Sequence, residues 1–233
     1  MKKSNIALIA AAGFIVLATL VFFILNTKWQ QAEKSEVQVL YSQNVEKFST
    51  VVALEGADVH IEQAPAYTVA VEKTEDSIPP EKVFRLENDT LFVSKGARVY
   101  VNCIELNNIV SENSYWMGVH RLSASRLNIT MNGGKLYYSV GNMPSDSIAT
   151  QTSVIDTLNV RLTGKAFFNF KRAQVGIMNL RIAGQSNAEL HTEIQKLDAM
   201  VLEDSKLWLP KQSATNELNL KKDSSVRLEI FNN

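Results

Sequence analysis

A single cysteine, Cys103, stands in the 233 residues, so no internal disulfide can staple the chain. Packing and strand pairing must hold the fold together instead. Cys103 is also too far from the N-terminus to be a lipoprotein acylation site. Net charge is absent as well, since 24 Lys and Arg balance 24 Asp and Glu. That balance excludes a global attraction to nucleic acid. There is no G-x-S-x-G, no H-E-x-x-H, no P-loop and no dinucleotide fingerprint, which removes the hydrolase, zincin and nucleotide-binding signatures. Beyond the first few tens of residues, no window keeps a 3.6-residue apolar period for the ten or more positions a helix wants. The soluble part therefore reads as all-β. Forty-five per cent hydrophobic residues excludes a disordered chain.

What the chain does have begins with residues 6–25, IALIAAAGFIVLATLVFFIL, a run without a charge. A helix of that length spans roughly 30 Å, the thickness of the hydrocarbon core. A cleaved signal peptide would have a shorter apolar region of roughly 7–15 residues and a small-x-small site, and residues 26–31 contain no such pair. The run reads as an uncleaved signal-anchor over 1–28, with Lys2, Lys3, Lys28 and Trp29 at the membrane interface. Lys2 and Lys3 favour an N-terminus inside the cell, although Lys28 and Lys34 weaken the bias. The expected placement is single-pass in a membrane, with the C-terminal domain (48–233) outside the cytoplasm. Residues 29–47 form a polar stalk whose end has the makings of a first strand.

From Phe48 the pattern alternates. Val52-Ala-Leu54, Val59-His-Ile61, Val69-Ala-Val71, Leu91-Phe-Val93 and Val99-Tyr-Val101 read as half-buried strands, punctuated by Gly56, Pro65, Pro79-Pro80, Asn88-Asp89 and Gly96. Residues 104–122 are irregular, and Leu127-Asn-Ile129 restarts the strands ahead of the turn at Asn132-Gly133-Gly134. Residues 48–72, followed by Leu91-Phe92-Val93, resemble the opening of the adhesin-like head GIN domain family. Ala183-Gly184-Gln185-Ser186-Asn187-Ala188 is similar to the G-x-S turn such domains repeat. The resemblance covers about residues 45–230. It implies a bacterial envelope protein folded as a short parallel β-solenoid, its anchor then in a bacterial inner membrane and its C-terminal domain in the periplasm, and it supplies no catalytic residue. Asp204 and Asp223 depart from the pattern, standing where glycine is usual.

Residues 158–230 carry the clearest repeat. Leu158-Asn-Val160-Arg-Leu162, Leu180-Arg-Ile182, Met200-Val-Leu202 and Leu218-Asn-Leu220 precede turns at Thr163-Gly164, Ala183-Gly184, Glu203-Asp204 and Lys222-Asp223. The spacing predicts a column of Leu162, Ile182, Leu202 and Leu220, each strand paired with those above and below. An antiparallel jelly roll is the rival, because it too needs alternation; equal spacing favours the solenoid. An open stack end at the C-terminus is a candidate edge for self-association.

Candidate chemistry is thin. His60-Ile-Glu62 and His191-Thr-Glu193 each put a histidine and a carboxylate on one strand face, readable as an acid–base or metal pair or as solvated surface pairs. No further ligands stand at metal spacing, so neither metal nor cofactor is expected. Asp146, Asp156, Asp198, Asp204 and Asp223 could include a glycosidase-like pair, but aspartate is also a turn former. Cys103 reads as a buried small hydrophobe. The aromatics are a better lead: Tyr115, Trp116, Tyr137, Phe167 and Trp208 are candidate contacts for a glycan or an envelope protein. One member of each adjacent aromatic pair on a strand must face outward. The expected function is a membrane-anchored, non-enzymatic, adhesin-like binding or scaffold domain. The alternatives are an accessory β-jellyroll subunit of an envelope lipid-transport system, which needs an apolar groove between sheets, and a carbohydrate-active enzyme on a β-helix.

Overall fold

The computed structural model describes residue 19 and residues 39–73, 79–139, 152–210, 214–223 and 226–231. Apart from Thr19, the apolar run 6–25 lies outside the described residues, as do Lys2, Lys3, Lys28, Trp29, the stalk up to residue 38, and Asp146. Among the described residues no helix is long and apolar enough to cross a membrane.

Alternation becomes strand, and among the described residues the strands join in one 17-stranded sheet; residues 104–122, expected to be irregular, contribute two of them. The chain runs β1 (Val39–Asn44), β2 (Thr50–Ala53), β3 (Asp58–Gln63), β4 (Thr68–Lys73) and a four-residue helix α1 (Pro80–Val83). Next come β5 (Phe84–Glu87), β6 (Thr90–Val93), β7 (Arg98–Cys103), β8 (Asn108–Glu112), β9 (Trp116–His120), β10 (Ala124–Asn132) and β11 (Lys135–Ser139). The last are β12 (Ser153–Thr163), β13 (Phe167–Ile182), β14 (Asn187–Val201), β15 (Lys206–Pro210), β16 (Ala214–Lys222) and β17 (Arg227–Phe231).

Two series of parallel neighbours run through these strands. The first is β6, β2, β8, β10, β12, the second half of β13, the second half of β14, and β16. The second is β7, β3, β9, β11, the first half of β13, the first half of β14, β15 and β17. Inward positions are apolar and closed to solvent: Leu127, Leu158, Met178 and Leu197 align in one column, and Leu136, Phe168, Ala188 and Leu207 in another. Each such aliphatic side chain contributes about 2 kcal/mol by leaving water. β13 and β14 pass through both series. The register shifts between Lys171 and Gln174, where Arg172 takes a left-handed backbone (φ 55°) and turns the strand.

Stacking order departs from chain order at the start. β2 lies between β6 and β8, and β3 between β7 and β9. Residues 90–103 thus fold back beneath residues 50–63, and the chain then crosses to the other side at β8. That outer end is closed by antiparallel strands, β4 on β7 and β5 on β6, and β1 pairs with β4. The stalk's last residues therefore belong to the sheet. At the other end β16 and β17 have a neighbour on one side only among the described residues.

The expected column of Leu162, Ile182, Leu202 and Leu220 is corrected in its second half. Leu162 aligns with Ile182, but Ile182 aligns with Val201, and Leu220 aligns with Ala199. Offsets by subtraction are 20, 19 and 21 residues, so the shorter third segment moves Leu202 out of the core and into the turn, where it is half-buried. The turns themselves stack. Gly133-Gly134, Gly164-Lys165, Gly184-Gln185 and Glu203-Asp204 each put two successive residues at positive φ. A Cβ on Gly134 (φ 82°) would lie 2.6 Å from the Ser114 carbonyl oxygen, so the position admits glycine alone without backbone movement. In the G-x-S turn, Ser186 is fully buried; its Oγ accepts the Ala166 N–H at 3.1 Å and its N–H donates to Ser205 Oγ at 3.2 Å. That serine is structural, because it satisfies backbone donors that the left-handed turn leaves unpaired.

Candidate functional site

The outward positions of the second series carry a continuous run of rings. Tyr100 on β7 stacks on His60 of β3 at 5.3 Å, and His60 lies 6.0 Å from His120 of β9 with the rings 3° from parallel. Trp116, also on β9, stacks on Tyr137 of β11 at 4.1 Å and 15°, and Tyr137 meets Phe167 of β13 at 5.5 Å. Gly118 makes the join possible. A Cβ there would lie 3.1 Å from His60 Nδ1, 3.0 Å from His120 Nε2 and 3.5 Å from Trp116 Nε1, so the rings occupy the space a side chain would need. Six rings thus cross five neighbouring strands, all half-buried. Their faces are largely occupied by one another; edges and the outer rims remain toward solvent. Such a ridge stabilises the stack through offset ring contacts and leaves an aromatic crest.

Three of the five candidate contacts, Trp116, Tyr137 and Phe167, are brought together in this crest. Their strand neighbours turn inward as alternation requires: Tyr138 and Phe168 are fully buried. Burial raises the Tyr138 hydroxyl above its ordinary range, and its O–H donates to the Leu122 carbonyl. Tyr115, 68% exposed, sits in the turn just before β9, outside the ring run. Trp208 lies farther along the same face, 4.4 Å from His191, beside a cleft of about 560 Å³ also lined by Glu189 and Lys171. Burial and the Lys171 charge lower the His191 pKa, and burial raises that of Tyr137.

The histidine–carboxylate pairs do not form as pairs. His60 Nε2 faces Asp58 at 3.4 Å, while Glu62 binds Arg121. Burial pushes the Asp58 carboxyl up, but the facing His60 ring and Arg98, whose Nε–H donates to it at 3.0 Å, outweigh it and hold the pKa below the ordinary value. His191 lies 3.9 Å from Glu189 rather than engaging Glu193. No cluster of three metal-ligating side chains occurs among the described residues. Cys103 is buried, its thiol pushed up to about 12 by desolvation, which leaves it a poor nucleophile. The turn carboxylates act on backbone: Asp223 accepts the Glu203 N–H and Glu203 accepts the Gly184 N–H, both at 2.8 Å.

The first series carries an outward column that no catalytic or binding motif marks. Asn108, Asn128, Asn159 and Asn179 align outward, and each donates its Nδ2–H to the residue before it: to Thr50 Oγ1 at 3.1 Å, then to amide oxygens at 3.0, 2.8 and 2.8 Å. Asp198 continues the column and accepts from Asn219 at 2.8 Å. Beside it runs a second outward column, Thr130, Arg161, Arg181, Met200 and Lys221. Together they line a groove of about 580 Å³. The signal was present as an apolar-Asn-apolar triplet: Leu127-Asn-Ile129, Leu158-Asn-Val160, Met178-Asn-Leu180 and Leu218-Asn-Leu220.

Residues 47–208 match the family described as "Putative auto-transporter adhesin, head GIN domain". The chain belongs to this family. Among solved structures it is similar to a "putative adhesin" from Bacteroides fragilis at 13% identity and TM-score 0.48, covering 84% of this chain and 98% of that one. A "putative adhesin" from Parabacteroides merdae follows at 14% identity and TM-score 0.40, with 85% and 98% covered. A "putative lipid binding protein" from Parabacteroides distasonis matches at 13% identity and TM-score 0.38, with the same coverage. No curated protein matches.

Proposed function

We propose that the chain is a membrane-anchored, extracytoplasmic scaffold and binding domain of the bacterial envelope, adhesin-like and without catalysis. In this reading the sheet winds as a short parallel β-solenoid that holds the head GIN domain's outward columns in fixed register. Parallel neighbours at offsets of 19–21 residues support the winding, since a jelly roll would pair its strands antiparallel. The 6–25 run serves as the anchor, with the domain in the periplasm. Family membership supports the adhesin-like role.

The observation that carries the binding surface is the ring run from Tyr100 to Phe167. Because the ring faces are turned to one another, the crest offers edges and rims, which suit the aromatic and carbonyl groups of a protein surface better than the flat face of a sugar. The partner is therefore a protein of the envelope. A photo-crosslinking residue in place of Tyr137, in the full-length chain in cells, tests this against the same residue at Thr157 on the other series. A single defined adduct at Tyr137 that Trp116→Ala abolishes, with the β-sheet circular dichroism spectrum retained, is the expected result. Equal labelling at both positions, or none, would sink it. For the anchor, protease added to cells with the outer envelope opened removes the domain; full protection with the inner membrane intact would place it inside.

A further inference from the structure

The amide ladder on the first series is broken at one point, and the break lies inside the groove. From Asn108 to Asn179 every side chain donates toward the β2 end. Asp198 follows and carries no donor, so Asn179 Oδ1 and the Asp198 carboxylate meet as two neighbouring acceptors. Asp198 is engaged by Asn219 at 2.8 Å and by Lys196 at 4.0 Å, both from strand positions on its far side or its own strand. Asn179 Oδ1 receives no donor among the described residues. Two residues along each strand, about 7 Å away, Arg161 and Arg181 stand exposed in adjacent rungs about 4.8 Å apart. Neither has a carboxylate partner among the described residues, whereas Lys196 is held by Glu217 at 2.9 Å.

We propose that this groove binds an acidic sugar, a uronic acid within a linear glycan. Its hydroxyls donate to Asn179 Oδ1 and Asp198, and its carboxylate is received by Arg161 and Arg181. A guanidinium forks a carboxylate through two parallel N–H groups, and an acceptor pair wants a ligand that brings its own donors. A uronic acid ring has both chemistries, hydroxyls on one side and a carboxylate on the other, separated by about the width of the two columns. A bare anion satisfies only half of the site, because it meets the Asp198 charge with no hydrogen to offer. The cavity of about 580 Å³ is of the size that holds such a unit. Lys221, beyond Met200 in the same column, extends the positive row toward a second acidic unit.

This inference does not rest on the aromatic crest, which lies on the other series. The test uses the full-length chain in nanodiscs with polygalacturonate as probe. Dextran serves as the neutral control, dextran sulfate as the polyanion without carboxylates, and anionic phosphatidylglycerol vesicles as the lipid control. Polygalacturonate binds best, and the Arg161→Gln/Arg181→Gln double variant loses about tenfold or more, the scale of one hydrogen bond to a charged group. Asp198→Asn separates recognition from attraction. The amide it introduces can donate to Asn179 Oδ1 and close the ladder, so the variant weakens polygalacturonate binding while its melting temperature stays the same or rises. If instead Asp198→Asn strengthens binding of polygalacturonate and dextran sulfate alike, the groove is an unspecific cationic patch and the proposal is overturned. Binding to the vesicles or to dextran sulfate as tight as to polygalacturonate overturns it as well. Trp116→Ala leaves polygalacturonate binding unchanged, so a failure of the crest and a failure of the groove are read separately.

Discussion

The two ends of the sheet are made of the same alternating strands but are threaded differently. From β12 onward each strand lies beside the segment about twenty residues away, and the chain advances one layer at a time. From β2 to β8 it does not: Thr50 aligns with Thr90 on one side and with Asn108 on the other, offsets of 40 and 58 residues. The first end is then closed by antiparallel strands, while the last strands present an open edge among the described residues. A sheet edge with unpaired backbone is a template for further strands, so the folded-back segment protects the end it covers. The ring crest depends on the same threading. Tyr100, His60 and Trp116 lie in that spatial order because β7, β3 and β9 do. With strands stacked in chain order, Tyr100 would stand between His60 and Trp116, and Gly118 would face Tyr100 instead of His60.

The largest expected effects separate the ends by folding rate. Leu91 in β6 and Leu190 in β14 are both fully buried, and replacing either with alanine costs about 2–5 kcal/mol. Contacts between neighbours in sequence close with less entropy, so the regular end is the better nucleus. Leu190→Ala is expected to slow folding, and Leu91→Ala mainly to speed unfolding. Chevron plots of the two variants check this; equal partitioning would show that the ends form together.

Next in size is Gly134→Ala, at the junction between the two regimes. Its positive φ and the 2.6 Å approach to the Ser114 oxygen predict a loss of about 1–3 kcal/mol, read by denaturant unfolding. Asp198→Asn, in the regular end, is expected to gain about 0.5–1.5 kcal/mol by completing the amide ladder. A loss would mean that Asp198 does more for Lys196 than the ladder would for the stack. The smallest effect is a pH dependence confined to the threaded end. Asp58 has a depressed pKa in the fold, so its stabilisation is present above the unfolded value of about 3.9 and is lost as pH falls through the folded value. The melting temperature of the native chain should exceed that of Asp58→Asn at neutral pH, and the gap should close on acidification below about pH 4.

How much of this was legible depends on the same contrast. All-β alternation, the turns and the inward face of the regular end follow from apolar spacing alone. Leu202 was misplaced because a third segment one residue shorter turns the counted column by one position, and counting leucines cannot detect that. The fold-back was not legible at all. Val51-Val52-Ala53, Leu91-Phe92-Val93 and Ile109-Val110-Ser111 carry the same inward pattern, so nothing in the pattern says which lies in the middle. In the crest, Trp116, Tyr137 and Phe167 stood out as aromatics expected to face outward. Tyr100 and His120 did not, because the threading brings them to His60. The amide ladder was readable as a repeated apolar-Asn-apolar triplet, but only once amides are sought as partners for one another rather than as wet surface.

Cysteine pairs at Thr50, Thr90 and Asn108 in a Cys103→Ala background test the stacking order most directly. Adjacent parallel strands bring outward positions about 4.8 Å apart, within the range a disulfide spans, whereas strands two rungs apart are about 9.6 Å away. Mild oxidation should link 50 with 90 and 50 with 108, but not 90 with 108. A chain stacked in sequence order would give the opposite for the last two, linking 90 with 108 and leaving 50 and 108 apart.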